Sequence, residues 1–218
     1  MCSSGNTRHV KFRGTDRSAQ HETVRREEDT MTMTIAAIAG SLRAGSYSRA
    51  LLRAAARGRP PGVAFALWDG LEAVPPFNED LEPGPAPAGV AALRRLIAGT
   101  DAVLIATPEY NGSIPGQLKN ALDWASRPHG AAVLRGKPAA TIGASPSPRG
   151  AAWALADLRK VLTIAGADLT ATELAVPQVH TQLTVDGGIA DPALRDRITQ
   201  LVSDLAQRVT TSSPAQAA

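Results

Sequence analysis

Two stretches of this chain carry residue types and spacings suited to holding a phosphate-bearing ligand. The first is Gly40-Ser41-Leu42-Arg43-Ala44-Gly45-Ser46-Tyr47-Ser48-Arg49. It follows an apolar run, residues 35–39, that reads as a short buried strand. It precedes residues 50–56, a run of good helix formers. The unpaired N–H groups of a first helical turn point toward an anion there, and the positive end of the helix dipole favours it. Ser41, Ser46, Tyr47 and Ser48 add hydroxyl donors, and Arg43 adds a charge-assisted one. The same residues also admit a plainer reading, in which Ser46 or Ser48 caps the helix, Arg43 is solvated and Gly45 serves the turn. The stretch lacks the Gly-Lys-Ser/Thr ending of a P-loop and the G-x-G-x-x-G of a dinucleotide fingerprint.

The second stretch is Pro108-Glu109-Tyr110-Asn111-Gly112-Ser113-Ile114, which leaves another apolar run at residues 101–107. It leads into Pro115, a residue favoured at the first turn of a helix. A third loop, Ala144-Ser145-Pro146-Ser147-Pro148-Arg149-Gly150, follows a strand expected over residues 139–143.

These loops need a scaffold, and the rest of the pattern supplies one. Strands are expected at 35–39, 63–68, 101–107, 139–143 and 169–176. Helices are expected at 50–56, 90–97 (Val90, Leu93, Leu96 and Ile97 on one face), 116–124, from the third loop to about 164, and 192–208. Pro75, Pro76, Pro83, Pro85 and Pro87 keep a long connection out of both helix and sheet interior. Strand and helix alternate five times without hairpin signals, which calls for a parallel sheet with helices on both faces. The expected fold is α/β, a flavodoxin-like doubly wound five-stranded parallel sheet of order 2-1-3-4-5 in three α/β/α layers. Its switch point lies between strands one and three, where the first two loops meet.

The 218 residues, 44% hydrophobic, suit one core, expected over residues 31–210. Residues 1–30 read as a disordered polar extension, with Met31 or Met33 as a natural start for the domain, and residues 211–218 as a frayed tail. The net charge of +3 balances 23 cations against 20 anions, and aromatic content is 4%, so a nucleic-acid surface is not indicated. The only cysteine, Cys2, rules out an internal disulfide framework or a cysteine metal cluster. No apolar run is long enough to span a membrane, and the start lacks a signal-peptide core, so a cytoplasmic location is expected.

With the loops in order, a resemblance becomes specific. G-S-L-R-x-G-S-x-x-R after the first strand and T-P-E-Y-N-G-S-I-P-G-x-L-K-N-A-L-D-W after the third resemble the NADPH-dependent FMN reductase family of quinone, chromate and azo reductases. The resemblance covers residues 34–209. It implies FMN as cofactor and NADPH or NADH as reductant. Ser41, Arg43, Ser46, Tyr47 and Ser48 match the phosphate loop, and Ser48 stands where relatives often carry asparagine. Pro108, Glu109, Tyr110, Asn111 and Gly112 match the loop along the ribityl chain and ring. Backbone N–H groups from Tyr110 to Gly112 are then placed to meet the flavin edge. Ser145 and Gly150 match the third loop, where relatives carry glycine in place of Ser147 and Ala151.

The implied chemistry is ping-pong: hydride passes from NAD(P)H to flavin N5, and a small-molecule acceptor (a quinone, azo compound, chromate or free flavin) then takes two electrons. No side-chain catalytic residue and no metal is called for. Two other readings stay open, a flavodoxin-type electron carrier and an FMN-binding sensor without nicotinamide turnover. The resemblance also implies a homodimer or homotetramer, with the proline-rich connection and the 119–124 helix as candidate contacts.

Several residues have plainer roles beside these. Glu109 is expected to fix its loop by accepting backbone N–H bonds rather than to act as a catalytic carboxylate. Tyr110 either stacks near the ring or wedges the loop. Lys119 and Asp123 form a helical i,i+4 pair, and Trp124 reads as core or interface. His129 and His180 lack metal-ligand spacing. Arg149 meets a cofactor phosphate or edge, or is solvated.

Overall fold

Alternation along the first strand sorts its side chains onto two faces, and two helical layers form against them. In the computed structural model, which describes Met1 and residues 33–212, strand β1 (Met33–Ala39) sends Ile35, Ala37 and Ala39 to one side. These meet Leu51, Leu52 and Ala55 of α1 (Tyr47–Arg57) and Ile198, Leu201 and Leu205 of α6 (Pro192–Ser212). Ala36 and Ile38 point the other way. They meet Val90, Leu93 and Ile97 of α2 (Ala88–Ala98), Leu118 and Leu122 of α3 (Gly116–Ala125), and Leu158 and Leu162 of α4 (Ala152–Ile164). The period of two along the strand thus produces the three-layer architecture.

The other strands are β2 (Val63–Trp68), β3 (Ala102–Thr107), β4 (Pro138–Ala144), β5 (Asp168–Leu169) and β6 (Leu174–Val176), with a short helix α5 at Val179–Gln182. These six strands pair in parallel, in the order β2-β1-β3-β4-β5, with β6 also on β4. This is the flavodoxin-like order read from the sequence. Strands β3 and β4 are buried along their whole length, as their continuous apolar runs require.

One expected strand, residues 169–176, is broken. The fifth position in the sheet is shared by β5 and β6, which pair with opposite ends of β4. Between them the Thr170 hydroxyl donates to the Thr172 carbonyl at 2.8 Å, a local bond that competes with the ladder. Arg159 on α4 takes the Thr170 carbonyl at 3.1 Å. Helix α6 continues past residue 210 to Ser212, whose hydroxyl joins Arg208 on the Asp168 carboxylate of β5. The expected extension over 1–30 lies outside the described residues apart from Met1, and so does 213–218. No helix among the described residues is long and apolar enough to cross a membrane.

The proline-rich connection is not a free loop where it passes α3. Prolines offer carbonyls without N–H partners, and α3 supplies the missing donors from one face. Gln117 Nε2 donates to the carbonyls of Leu71 and Val74, both at 2.8 Å. Asn120 Nδ2 and Trp124 Nε1 both donate to the Pro75 carbonyl, at 2.8 and 2.9 Å. Asn120 Oδ1 accepts from the Phe77 N–H at 2.6 Å, and the Phe77 ring meets Trp124 edge-on at 4.9 Å. Trp124 is therefore core, and this face of α3 is engaged within the chain.

Replacing Asn120 with alanine removes both of its bonds and leaves a partly buried N–H and a carbonyl short of partners. The expected loss is about 1–3 kcal/mol in urea unfolding. An unchanged midpoint would show that the connection holds without this staple.

Candidate functional site

The first two loops leave adjacent strands at the same edge. The Gly40 N–H, just past β1, donates to the Ala106 carbonyl of β3 at 2.8 Å, the last rung before the chains diverge. Beyond it Ser41 Oγ and Tyr110 Oη stand 3.3 Å apart, joining the loops across the crevice. A cleft of about 150 Å³ opens there, walled by Ser41, Arg43, Ser46, Tyr47 and Ser48 of the first loop and Pro108, Glu109 and Tyr110 of the second, with Ser145 of the third. Nine residues picked out in the sequence are thus gathered at one place. Larger clefts of about 440 and 560 Å³ lie elsewhere, and neither joins the loops after β1 and β3.

Ser46 is the N-cap of α1, with φ −68°, ψ 120°, and its Oγ accepts from the Arg49 N–H at 3.2 Å. That leaves Ser48 inside the helix. The Tyr47 and Ser48 N–H groups have no acceptor among the described residues, and the buried Ser48 hydroxyl has no partner among them either. Buried polar groups are ordinarily bonded, so an orphan hydroxyl in a cleft wall marks a place for a ligand. Arg43 stands exposed at the rim, donating to the Gly45 carbonyl at 2.9 Å with its guanidinium 5.7 Å from the Tyr47 ring centre. These donors suit a phosphate without a metal.

The second loop is a two-residue hairpin. Tyr110 and Ser113 exchange backbone bonds at 3.0 and 3.1 Å, while Asn111 and Gly112 take φ values of 53° and 77°. Two consecutive left-handed residues make the type I′ turn that Asn-Gly favours. The Asn111 and Gly112 N–H groups, at its tip, have no acceptor among the described residues. Both residues lie just outside the cleft wall.

One carboxylate enters the cleft, and its charge is already engaged. Helix α4 begins at Ala151, a left-handed N-cap at φ 66° with no side chain to cap the helix and no acid in its first turn. Glu109 supplies the cap from the second loop: its Oε2 accepts from the N–H groups of Trp153 at 3.0 Å and Ala154 at 3.2 Å. A second link runs from Ser113 Oγ to Asp157 Oδ2 at 2.7 Å. Hydrogen bonds from Lys160 first and Ser113 second hold the Asp157 carboxyl below the ordinary carboxylate range. Its folded pKa lies under its unfolded one, so this link is fully present above the ordinary carboxylate value and is lost as pH falls through the lowered one.

Gly150 lies off the cleft. At φ 62° it presses against the end of β6, where an added Cβ would stand 2.6 Å from the Pro177 nitrogen. Ser145 Oγ is held within its own loop, at 3.1 Å from both the Ser147 N–H and the Ser147 hydroxyl. Arg149 stacks 4.5 Å above the Trp153 ring, which is 54% exposed and rests against Gly112. Trp153 and Asp157 were not singled out in the sequence. They sit in an ordinary helical run, and only the sheet order brings α4 beside the second loop. His129 and His180 do not reach the cleft, and Lys119 pairs with Asp123 at 2.7 Å on an exposed face.

Comparison with known proteins adds a second line of support. The family model described as NADPH-dependent FMN reductase matches residues 33–181. The NAD(P)H-dependent FMN reductase of Pseudomonas aeruginosa is 40% identical over 169 residues, covering 77% of this chain and 90% of that one. A 2-hydroxy-1,4-benzoquinone reductase from a Burkholderia species is 44% identical over 131 residues, covering 60% of this chain and 70% of that one. Among solved structures, a flavoenzyme NAD(P)H:(acceptor) oxidoreductase from Paracoccus denitrificans superposes with a TM-score of 0.75 at 35% identity, covering 83% of this chain and 98% of that one.

Glu109→Ala should lower unfolding stability by about 1–2 kcal/mol and speed amide exchange in the first turn of α4. Glu109→Gln keeps an acceptor oxygen and should lose less. Equal stability and exchange in all three proteins would contradict the cap.

Proposed function

The chain belongs to the NADPH-dependent FMN reductase family, and from that membership we propose an FMN-dependent NAD(P)H oxidoreductase that reduces a quinone, an azo compound, chromate or free flavin. The observation that carries the reading is the open first turn of α1, with its orphaned Ser48 hydroxyl, lining one cleft together with Pro108, Glu109 and Tyr110 of the second loop. When bound, FMN supplies two-electron transfer between NAD(P)H and an acceptor that occupy the same place in turn.

The chain's own residues bind and orient. The Tyr47 and Ser48 N–H groups, the Ser41, Ser46 and Ser48 hydroxyls and Arg43 hold the phosphate. Pro108 and Tyr110 would lie along the ribityl chain, and the N–H groups of Asn111 and Gly112, without an acceptor among the described residues, would serve the polar edge of the ring. Glu109 and Ser113 fix that turn to α4, so the ring-facing donors are set before the ligand arrives. The Ser145 loop closes the remaining side.

Residues 31–210 form the FMN-binding domain in this reading, preceded by a polar extension over 1–30 and followed by a tail. A cytoplasmic location belongs to this reading, as a compartment that supplies NAD(P)H. A homodimer or homotetramer uses the exposed Lys119–Asp123 face of α3, since the opposite face of that helix already holds the proline-rich connection.

Two measurements test this. Anaerobic stopped-flow mixing with NADPH or NADH should bleach the bound flavin; a flavoprotein that stays oxidised with both would favour the carrier or sensor reading. Ser48→Ala should leave thermal stability unchanged or slightly raised, because a buried unpaired hydroxyl is removed, while weakening FMN binding by about 5–10-fold. Unaltered FMN affinity would place the phosphate elsewhere.

A further inference from the structure

The phosphate loop opens, on its outer side, into a second cleft of about 340 Å³ between α1 and the segment after α5. It shares Ser46 and Tyr47 with the first cleft, so the two are adjacent. Its α1 wall is a row of arginines four residues apart, Arg49, Arg53 and Arg57. Helix α1 contains no acidic residue, so the row has no i,i+4 partner of opposite sign and its members repel one another. The two ends of the row are occupied. Arg49 pairs with Asp69 at 3.2 Å, and Arg57 donates to the Gly187 carbonyl. Arg53, between them, is exposed and has no partner among the described residues.

The opposite wall brings one anion, Asp186. Its carboxylate is turned into its own loop by the Thr184 hydroxyl, which is the main cause holding it below the ordinary carboxylate range. The charge of the row left without an acidic partner among the described residues is therefore that of Arg53, since Asp69 offsets Arg49 and Asp186 lies in the field of Arg57. Ala50 and Leu183 give the same cleft apolar surface, and its volume falls in the roughly 300–1,000 Å³ range of small-molecule sites, more than a lone phosphate fills.

We propose that this cleft is a second phosphate site that receives an adenosine phosphate, with Arg53 as its principal charged contact, lying beside the site for the flavin's own phosphate. The inference rests on the reading of the chain as a flavin- and nicotinamide-dependent enzyme. Two dinucleotides carry that chemistry: NADPH, through its 2′-phosphate, and a flavin adenine dinucleotide, through its adenylate half. A site of this kind makes Arg53 a specificity-determining residue: in the first case NADH lacks the 2′-phosphate that it meets, and in the second FMN lacks the adenylate.

The direct test is calorimetric titration of the FMN-loaded protein with adenosine 2′,5′-bisphosphate. The natural chain should bind it, Arg53→Gln should bind at least tenfold more weakly, and Arg53→Lys should recover part of the loss. Two further arms identify the source. If NADPH is the ligand, Arg53→Gln raises KM for NADPH at least tenfold and KM for NADH less than twofold. If the flavin dinucleotide is, the variant apoprotein loses affinity for it tenfold while FMN affinity holds. A natural chain that ignores the bisphosphate, or an Arg53→Gln variant that binds it equally well, overturns the proposal. Failure of either nicotinamide nucleotide to reduce the flavin counts instead against the enzyme reading, and the bisphosphate titration still decides the second site.

Discussion

The site depends on one constraint: β1 and β3 lie side by side and run the same way, while the chain between them crosses out to β2 and back. Parallel neighbours must release their loops at the same edge, and the reversal of winding leaves no helix to cover that edge between them. The Gly40–Ala106 bond marks where the shared ladder ends. From there the first loop turns into α1 with two N–H groups unanswered, and the second folds into its Asn-Gly turn. Neither loop alone encloses anything; the cleft exists because the strand order sets them against each other.

Charge is distributed so that this cleft stays receptive to an anion. Its single carboxylate, Glu109, is bound to the positive end of α4, a helix that starts on a left-handed alanine and has no cap of its own. One interaction therefore does two jobs: it starts α4, and it withdraws negative charge from the cleft while fixing the turn that carries Asn111 and Gly112. The Ser113–Asp157 bond repeats the connection one turn further along α4. The second loop is thus a tied strap, pre-set on two helical turns, rather than a loop that must order around a ligand.

Much of this was legible in the sequence because each part carries a local signature. Five apolar runs separated by helical patterns implied the strand order; the two-residue hairpin at Asn111-Gly112 was not expected, although that residue pair favours the turn. The hydroxyl-rich run from Ser41 to Ser48 announced a capped helix start. Which serine caps was open, and the structure assigns Ser46, because only its backbone is extended while Ser48 is already helical. The break between β5 and β6 was hidden, since Thr170 and Thr172 are good strand residues whose local bond appears only in three dimensions. Gly150 was expected in the ligand loop, and the structure adds a packing reason for glycine there, the close approach of the Pro177 backbone. The attachment of Glu109 to α4, like the hold of Gln117, Asn120 and Trp124 on the proline-rich connection, joins residues more than forty positions apart. Spacing along the chain carries no trace of such pairs.

The central claim is that the loops after β1 and β3 hold the two ends of one FMN molecule. A crystal structure of the FMN complex tests it most directly. The account predicts the phosphate within hydrogen-bond distance of the Tyr47 and Ser48 N–H groups and the Ser48 hydroxyl, with the ring edge against the N–H groups of Asn111 and Gly112. Flavin density in either of the larger clefts, or a phosphate that leaves the Ser48 hydroxyl unpartnered, would contradict it.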